Sequence, residues 1–305
     1  MKQILKYITI ALLSAASLSS CYERYVTYSD AEYVMFADTL KTYPILEGEV
    51  YFSVPVVSTV TRDYDRTFGV EVVDKGSNAI ENYHYKLQSN TITIKAGTNR
   101  ADVMVAGCYD NISAEDSLGF QLRLVMNDAL EMPLNGTETY GRHTNVVLMK
   151  SCPFDVNNFT GYCVLTSMFL YQYSPTGAYQ RLIKTEKHPT QPNTIICRNW
   201  IADGYDVTMT FHPEDPMRPL VTMDDDQVMS DEGSFFGIAY GDDKILVKSS
   251  TINESVFYSC GNYLYIWAET YVENLGTPFG TVGHFYNIME WVSKEEGERL
   301  EREGL

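Results

Sequence analysis

The segment Val50-Tyr51-Phe52-Ser53-Val54-Pro55-Val56 carries the pattern that decides the fold. An apolar residue stands at every second position, and because successive side chains of a strand point to opposite faces, one face of this segment should be buried. Residues 68–72, 92–94, 103–105 and 120–124 repeat the alternation. Pro55 has no backbone N–H to donate, so we expect its strand at a sheet edge or at a bulge.

Turn residues separate these alternating segments. The polar loop 95–100, for example, contains Gly97, which can adopt a positive φ. About seven short strands within some 120 residues are typical of an antiparallel sandwich. We therefore predict an all-β fold whose first domain is a β-sandwich over residues 33–150.

The alternation breaks at residues 150–155, where we place the boundary with a second domain. Further apolar runs follow up to residue 291, and turn signals separate them at residues 175–177, 203–204 and 241–243. Three prolines in residues 212–219 predict an exposed connection, because proline cannot donate to a β-ladder. The pattern predicts an antiparallel β-barrel or a barrel-like sandwich over residues 151–292, since closure removes unpaired strand edges.

The tail, residues 293–305, has a helical signature. Ser293 and Glu296 have the spacing of a capping box, whereas Gly297 weakens the helix. We predict a short C-terminal helix that is exposed to solvent.

The N-terminus has the features of a bacterial lipoprotein signal. A basic start with Lys2 and Lys6 precedes an apolar run, residues 8–18, that is too short to span a bilayer, and Leu18-Ser19-Ser20-Cys21 fits a lipobox. We predict a signal peptide over residues 1–20, a lipid anchor on Cys21 and a tether over residues 21–32. The protein would then be attached to the cell envelope, at the outer membrane, through its N-terminal lipid.

The charge of the chain argues against nucleic acid as a partner. The sequence has 23 basic and 40 acidic residues, a formal net charge of −17 that becomes −19 once Lys2 and Lys6 are removed with the signal peptide. Such a field repels nucleic acid and anionic lipid surfaces. Membrane attachment must therefore come from the lipid rather than from a basic patch.

The cysteines do not pair completely. Of six, Cys21 is assigned to the lipid, and an odd number remains, so at least one should be a buried free thiol. Cys152 and Cys163 are the near pair in sequence, and a disulfide between them stays open. The spacing of the five gives no support to a zinc site.

Residues typical of catalysis do not form a motif. The five histidines are scattered, and no nucleophile elbow or glycine-rich phosphate loop occurs. The run Asp224-Asp225-Asp226 has the chemistry of a metal site or of paired glycosidase carboxylates, but short acidic runs are usually solvated turns. We therefore predict no catalytic residue, no cofactor and no metal site.

The aromatic content suggests a binding function. Tyrosine and tryptophan combine a flat apolar face with a polar tip, which suits stacking on sugar rings, and aromatic residues make up 13% of the chain. Trp267 and Trp291 lie in apolar strands and are expected in the core. Trp200, which stands between Asn199 and a turn, is the predicted exposed ligand-binding residue.

Part of the chain resembles the Calx-beta family. The resemblance rests on residues 45–50, 77–85 and 91–97, spans residues 40–126 and implies an immunoglobulin-like sandwich. Many members hold calcium with acidic loop residues, and Glu47 and Asp110 fall in comparable positions. His84 and Tyr85 stand where the family has Asp-Tyr, and a calcium ion needs about six to eight oxygen ligands. We therefore expect a sandwich without bound calcium, and calcium binding stays open as the alternative.

Nearly the whole mature chain resembles a family of Bacteroidetes lipoproteins that has no assigned activity. The resemblance rests on the lipobox and on residues 33–36, 63–66, 152–155, 160–163 and 287–291. It implies a lineage and a compartment. In those bacteria, Asp-Thr or Asp-Ser before a small apolar residue is an O-glycosylation signal, which makes Thr39 and Ser117 candidate acceptors.

These observations favour a non-enzymatic binding or accessory protein of the cell envelope, with a glycan or an outer-membrane protein as its partner. A structural subunit of fimbrial type is the alternative, although no arginine stands where such subunits are cleaved before a donated strand. A glycan-active enzyme ranks third.

Overall fold

A computed structural model describes residues 31–134, 138–239, 241–274 and 277–305. The predicted signal peptide, the lipid anchor at Cys21 and the tether up to residue 30 lie outside these residues. The regular structure of the described chain is mostly β-strand, with a few short helices, which confirms the all-β prediction.

The first half of the described chain forms two packed sheets. One sheet has the strand order β1-β3-β7-β5 and the other β2-β11-β8-β4-β6, with a separate β9-β10 hairpin. The strands are β1 Val34–Phe36, β2 Leu40–Ile45, β3 Tyr51–Ser58, β4 Arg66–Val73, β5 Tyr85–Leu87, β6 Thr91–Ile94, β7 Arg100–Gly107, β8 Leu118–Val125, β9 Met132–Leu134, β10 Glu138–Tyr140 and β11 His143–Lys150.

The inward-facing residues of both sheets form one apolar core, which confirms the predicted sandwich. Tyr85 is fully buried and stacks on Phe120 with ring centroids 3.7 Å apart. The expectation that Pro55 marks an edge or a bulge was wrong, because β3 lies between β1 and β7. Its carbonyl accepts a hydrogen bond from the Ala37 amide, just past the end of β1, so the missing N–H falls outside the β3–β7 ladder.

The second half closes into an antiparallel barrel. Within the described residues, eight strands form the ring β12-β13-β14-β15-β16-β19-β20-β21, and β21 pairs back with β12. This confirms the predicted barrel. The ring strands are β12 Gly161–Ser167, β13 Gln180–Lys187, β14 Thr194–Arg198, β15 Val207–His212, β16 Leu220–Met223, β19 Ser255–Tyr258, β20 Tyr263–Asn274 and β21 Thr277–Trp291.

Two further strands and two short helices complete this half. β17 Gln227–Ser230 pairs with β18 Ile245–Ser249, which pairs with the second half of β20. Helices α1 Met168–Tyr173 and α2 Glu232–Phe236 pack on each other through Phe169 and Phe235. The proline-containing segment 213–219 connects β15 to β16, as predicted.

Aromatic side chains fill one end of the barrel. Phe159, Phe211 and Phe257 are buried and pack with ring centroids 4.7–5.8 Å apart, and Phe154 joins them from the segment that leads into the barrel. Such contacts stabilise by about 0.5–1.5 kcal/mol each beyond area burial. The inward-facing side chains of the barrel strands therefore form a packed core.

The C-terminal helix α3, Lys294–Glu303, packs one face on the barrel, whereas most of its residues are exposed to solvent as predicted. Ser293 caps it as predicted, with its Oγ accepting from the Glu296 amide at 3.2 Å. Gly297 is buried against Tyr162, whose hydroxyl donates to Glu301. A Cβ on Gly297 would lie 2.1 Å from Tyr162 Cγ, so the glycine allows the helix to approach the barrel.

The disulfide joins Cys152 to Cys260, with 5.1 Å between the Cα atoms. Cys152 therefore does not form a disulfide with Cys163, the pairing that the sequence left open. Cys163 points into the barrel core. In the described chain Cys108, Cys163 and Cys197 are free thiols, and Cys163 and Cys197 are buried as expected of unpaired cysteines. Burial raises the pKa of both buried thiols.

Candidate functional site

Strand β20 begins with a strict alternation of aromatic and aliphatic residues, Tyr263-Leu264-Tyr265-Ile266-Trp267-Ala268. Leu264, Ile266 and Ala268 are buried in the barrel core. Because side chains alternate between the faces of a strand, the aromatic set lies on the outer face. Tyr258 of β19 and Tyr286 of β21 join this set, which we call the aromatic strip: Tyr258, Tyr263, Tyr265, Trp267 and Tyr286.

The strip is continuous from ring to ring. Tyr258 pairs across the ladder with Tyr263, and Trp267 pairs with Tyr286. Successive ring centroids lie 4.8 Å (Tyr258 to Tyr263), 5.5 Å (Tyr263 to Tyr265), 5.4 Å (Tyr265 to Tyr286) and 5.1 Å (Tyr286 to Trp267) apart. Packing of each ring against its neighbour limits its rotamers, so the surface is rigid before any ligand arrives.

The tyrosine hydroxyls share a partly desolvated environment. Burial, and then the neighbouring hydroxyls of Tyr265, Tyr258 and Tyr263, raise the pKa of Tyr286 to about 12. Burial likewise raises the pKa of Tyr263, with smaller contributions from Tyr265, Tyr258 and the Glu115 carboxylate of the sandwich. The hydroxyls of Tyr263 and Tyr286 are therefore neutral at physiological pH, and each can donate as well as accept a hydrogen bond.

A charged row follows the strip directly in register. Lys248, Glu269 and His284 are cross-strand neighbours on β18, β20 and β21, one step beyond Trp267 and Tyr286; we call them the polar row. Glu269 is 9% exposed, and its carboxylate accepts from Thr281 at 3.3 Å and from Thr251 at 3.4 Å. Lys248 Nζ lies 3.8 Å from the same carboxylate.

The loop between β18 and β19 lies beside the strip. Ser250 Oγ contacts His284 Nδ1 at 2.9 Å and also accepts from the amides of Ile252 and Asn253, each at 3.2 Å. Because the Ser250 hydroxyl stabilises this turn through these two hydrogen bonds, we assign it no nucleophilic role. Its contact with His284 instead engages Nδ1 and leaves Nε2 as the imidazole nitrogen available to a ligand.

The structure reverses two of the three tryptophan predictions. Trp200 is only 1% exposed, because Asn199 adopts a left-handed φ of 52° and the turn that follows carries the indole into the barrel core. The expectation of an exposed Trp200 was therefore wrong. Trp291 packs against the core as expected, with Nε1 donating to Thr185 Oγ1 at 2.8 Å.

Trp267, which was expected in the core, lies on the outer face instead. The alternation in β20 held the signal for this placement: once Leu264, Ile266 and Ala268 fill the barrel, Trp267 must face outward. The polar row had no such signal, because its three residues come from strands that only the barrel register brings together.

A concave region lies at the end of the sandwich that leads to the barrel. It is a cleft of about 370 Å³ lined by Gly48, Glu49, Asn82, Lys86 and residues 106–111. Asp110, one of the two acidic residues that the Calx-beta resemblance places at positions comparable to calcium ligands, lines this cleft. Burial raises the pKa of Tyr109, and the Glu47 and Asp110 carboxylates raise it further. No group of three metal-binding side chains occurs among the described residues.

The remaining sequence candidates lie apart from the strip. Asp224-Asp225-Asp226 forms the turn between β16 and β17, as the solvated-turn interpretation predicted, and Asp226 accepts from the Tyr271 hydroxyl. Thr39 and Ser117 are both exposed, so their hydroxyls are accessible to a glycosylating enzyme. Cys21 lies outside the described residues. No helix in the part of the chain that the structure describes has the length and apolar character needed to cross a bilayer.

Several solved structures align with this chain at low sequence identity. A protein of unknown function from Bacteroides ovatus aligns over 86% of this chain and 94% of its own, at 10% identity and a TM-score of 0.35. An auxiliary nutrient binding protein from Bacteroides thetaiotaomicron aligns over 83% and 89%, at 14% identity and a TM-score of 0.30. The apo form of a Calx CBD1 domain aligns over 40% and 98%, at 14% identity and a TM-score of 0.31.

None of these three is named as an enzyme. A search among curated proteins found no match. The predicted membership of a family without assigned activity is confirmed. The model of the DUF4984 family, a domain of unknown function, matches residues 139–303, which is more than half of the chain, and the protein therefore belongs to the DUF4984 family.

Proposed function

We propose that this protein is a non-enzymatic glycan-binding lipoprotein of the cell envelope, and that the aromatic strip is its binding surface. The observation that carries the proposal is the continuous outer row of Tyr258, Tyr263, Tyr265, Tyr286 and Trp267. Aromatic faces stack on the apolar faces of sugar rings, and tyrosine hydroxyls can form hydrogen bonds with sugar hydroxyls.

The size of the strip favours a glycan over a folded protein partner. It spans three strands, about 10 Å, and runs from Tyr263 to Trp267, about 14 Å, which gives roughly 140 Å². A stable protein interface buries about 800 Å² on each partner. An oligosaccharide a few sugars long needs much less surface. The formal net charge of −17 disfavours acidic polysaccharides, so the preferred ligand is neutral.

The position of the tether supports display away from a membrane. Glu32, the last residue of the predicted tether, binds Arg62 and Arg66, and Tyr33 pairs with Thr59 at the end of β3. The opposite end of the sandwich leads through residue 151 into the barrel. Since β3 has eight residues, it separates the two ends by about 24 Å. A lipid on Cys21 would thus hold the barrel beyond the sandwich.

The predicted anchor has a direct test. Cys21→Ala should abolish labelling by a fatty-acid probe and release the protein from membranes, because the sulfhydryl is the acceptor of the lipid. Cys108→Ser is the control and should keep both labelling and membrane retention. Membrane retention of the Cys21→Ala protein would contradict the proposed attachment.

Glycan binding is tested by affinity electrophoresis of residues 22–305 in mannan, xylan, β-glucan and starch, with pectin and chondroitin sulfate as acidic comparisons. We expect retardation by at least one neutral polysaccharide. A Tyr265→Ala/Trp267→Ala double substitution should weaken binding roughly tenfold, as expected for two stacking contacts of about 0.5–1.5 kcal/mol each. Tyr171→Ala, which removes an exposed aromatic residue on α1, should bind normally. Absence of retardation in all four neutral polysaccharides would refute the proposal.

A further inference from the structure

The outer face of β20 does not end with its aromatic residues. Glu269 follows Trp267 on the same face, and in the ladder it stands between Lys248 and His284. The aromatic strip and the polar row are therefore one surface, about 20 Å long from Tyr263 to Glu269. A sugar chain stacked on the rings would bring one of its ends to these charged groups.

The surface is closed beyond Glu269. Tyr271 is the next outward residue of β20; it is 7% exposed, and its hydroxyl donates to Asp226 in the turn between β16 and β17. Lys248 Nζ lies 5.0 Å from the centre of the Tyr271 ring. A polysaccharide that lies along the strip therefore has no outer surface on which to continue in this direction.

Glu269 has hydrogen-bonding capacity to spare. Its carboxylate provides about four acceptor positions, and the two threonine hydroxyls that reach it do so at 3.3 and 3.4 Å. Hydroxyl–carboxylate hydrogen bonds are optimal at about 2.5–2.7 Å, so a sugar hydroxyl can bind more tightly than either threonine does. His284 Nε2 adds a second polar contact beside it.

We propose that the polar row recognises the terminal sugar of a neutral oligosaccharide, with Glu269 and His284 binding its hydroxyls while the aromatic strip stacks on the sugars behind it. This inference rests on the proposed glycan binding and adds that the protein binds chain ends rather than chain interiors. Glu269 and His284 are then specificity-determining residues.

The test uses calorimetric titration of the protein with cellohexaose, xylohexaose, mannohexaose and maltohexaose. Each sugar that binds is compared with its methyl glycoside, blocked at the reducing end, and with a form O-methylated on the non-reducing terminal sugar. We expect one of the two blocks to weaken binding at least tenfold, the value of a lost hydrogen bond to a charged group. Glu269→Gln and His284→Gln should lose this discrimination, whereas Glu186→Gln, at an exposed position on β13, should keep it.

The outcomes separate the two proposals. If no hexasaccharide binds the unsubstituted protein, the glycan proposal fails and chain-end recognition fails with it. If a hexasaccharide binds and Trp267→Ala weakens it, but neither block matters or Glu269→Gln still discriminates, chain-end recognition alone is overturned. The unfolding midpoint of each variant shows whether a loss of binding reflects loss of the fold.

Discussion

Arg66 holds the first described residues against the sandwich. Its guanidinium donates to Glu32, to Ser58 Oγ at 2.9 Å and to the carbonyl of Thr98 at 2.9 Å, and its side chain is 6% exposed. Burial raises the pKa of Glu32, but the hydrogen bonds from Arg66 and Arg62 outweigh it and hold that pKa below its usual value of 4.5. The ionised carboxylate therefore stabilises the fold at neutral pH.

Arg66→Met tests this contact. Removing the buried partner leaves Glu32 with Arg62 alone, and we expect a loss of about 3 kcal/mol in the free energy of unfolding, measured by urea denaturation. Arg62→Ala, at an exposed position, should cost less than about 1 kcal/mol. Because a carboxylate with a lowered pKa loses its contribution as the pH falls below 4.5, stability of Arg66→Met should depend less on pH in that range than stability of the unsubstituted protein. Equal losses for both variants would contradict the assignment.

Residue composition alone did not locate the exposed tryptophan. Trp200 follows a polar residue and precedes a turn, which favoured exposure, yet a left-handed Asn199 directs the ring inward. Trp267 lies among apolar residues, which favoured burial. Its neighbours Ile266 and Ala268 face the barrel core, so Trp267 faces outward. In β20 the aliphatic residues pack inside the barrel, and alternation then places the aromatic residues of this strand on the outer face.

At the scale of elements, α3 shows how tertiary contact can outweigh helix propensity. Gly297 reduces the intrinsic stability of the helix, by about 1 kcal/mol relative to alanine. The same glycine lets α3 approach Tyr162 closely, and a Cβ would lie 2.1 Å from that ring. Lys184 and Tyr162 both bind Glu301, which fixes the helix further.

Gly297→Ala should therefore destabilise the protein, by about 1–3 kcal/mol, although it improves the helix. The expected cause is undocking of α3, which faster amide hydrogen exchange in residues 294–303 would reveal. Glu295→Ala, an exposed substitution in the first turn of the same helix, should change the unfolding free energy by less than about 0.5 kcal/mol. Higher stability of the Gly297→Ala protein would show that propensity, not packing, governs this helix.

The element pattern was largely predictable because alternation and turn residues are local. The sandwich, the barrel, the proline-containing connection and the C-terminal helix all follow from signals within about ten residues. Pro55 and the disulfide were not predictable in the same way. The strand neighbours of Pro55 and the approach of Cys152 to Cys260 depend on contacts between segments far apart in sequence.

At the scale of the molecule, the disulfide ties the segment after the sandwich to the base of the aromatic strip. Cys260 lies in the turn between β19 and β20, flanked by Tyr258 and Tyr263, and its partner Cys152 lies 108 residues earlier. The crosslink thus joins the path between the two halves to the strands that carry the strip.

Replacing Cys260 by serine should lower the unfolding free energy by about 3–5 kcal/mol, because a long loop regains its freedom in the unfolded chain. Urea denaturation under non-reducing conditions measures this loss. Cys163→Ser removes a buried free thiol, so the change that it causes in the unfolding free energy should be the same with and without reductant. If reductant did not lower the unfolding free energy of the unsubstituted protein, the disulfide would contribute nothing to stability.

The proposed binding surface could be predicted only in part. Aromatic content indicated a sugar-binding protein, and the residues of β20 are visible in the sequence, but Tyr258, Tyr286 and the polar row join them only through the closed barrel. Strand register is set by long-range pairing, which one sequence does not reveal.

The most direct test of the central claim is fluorine NMR of the protein labelled with fluorotryptophan. The chain has three tryptophans, of which Trp200 is buried in the barrel, Trp291 packs against its core and Trp267 lies on the outer strip. On addition of a neutral oligosaccharide that binds the protein, we predict that the Trp267 resonance shifts while the chemical shifts of Trp200 and Trp291 do not change. A shift of Trp200 without one of Trp267, or saturable binding that moves no tryptophan resonance, would contradict the account.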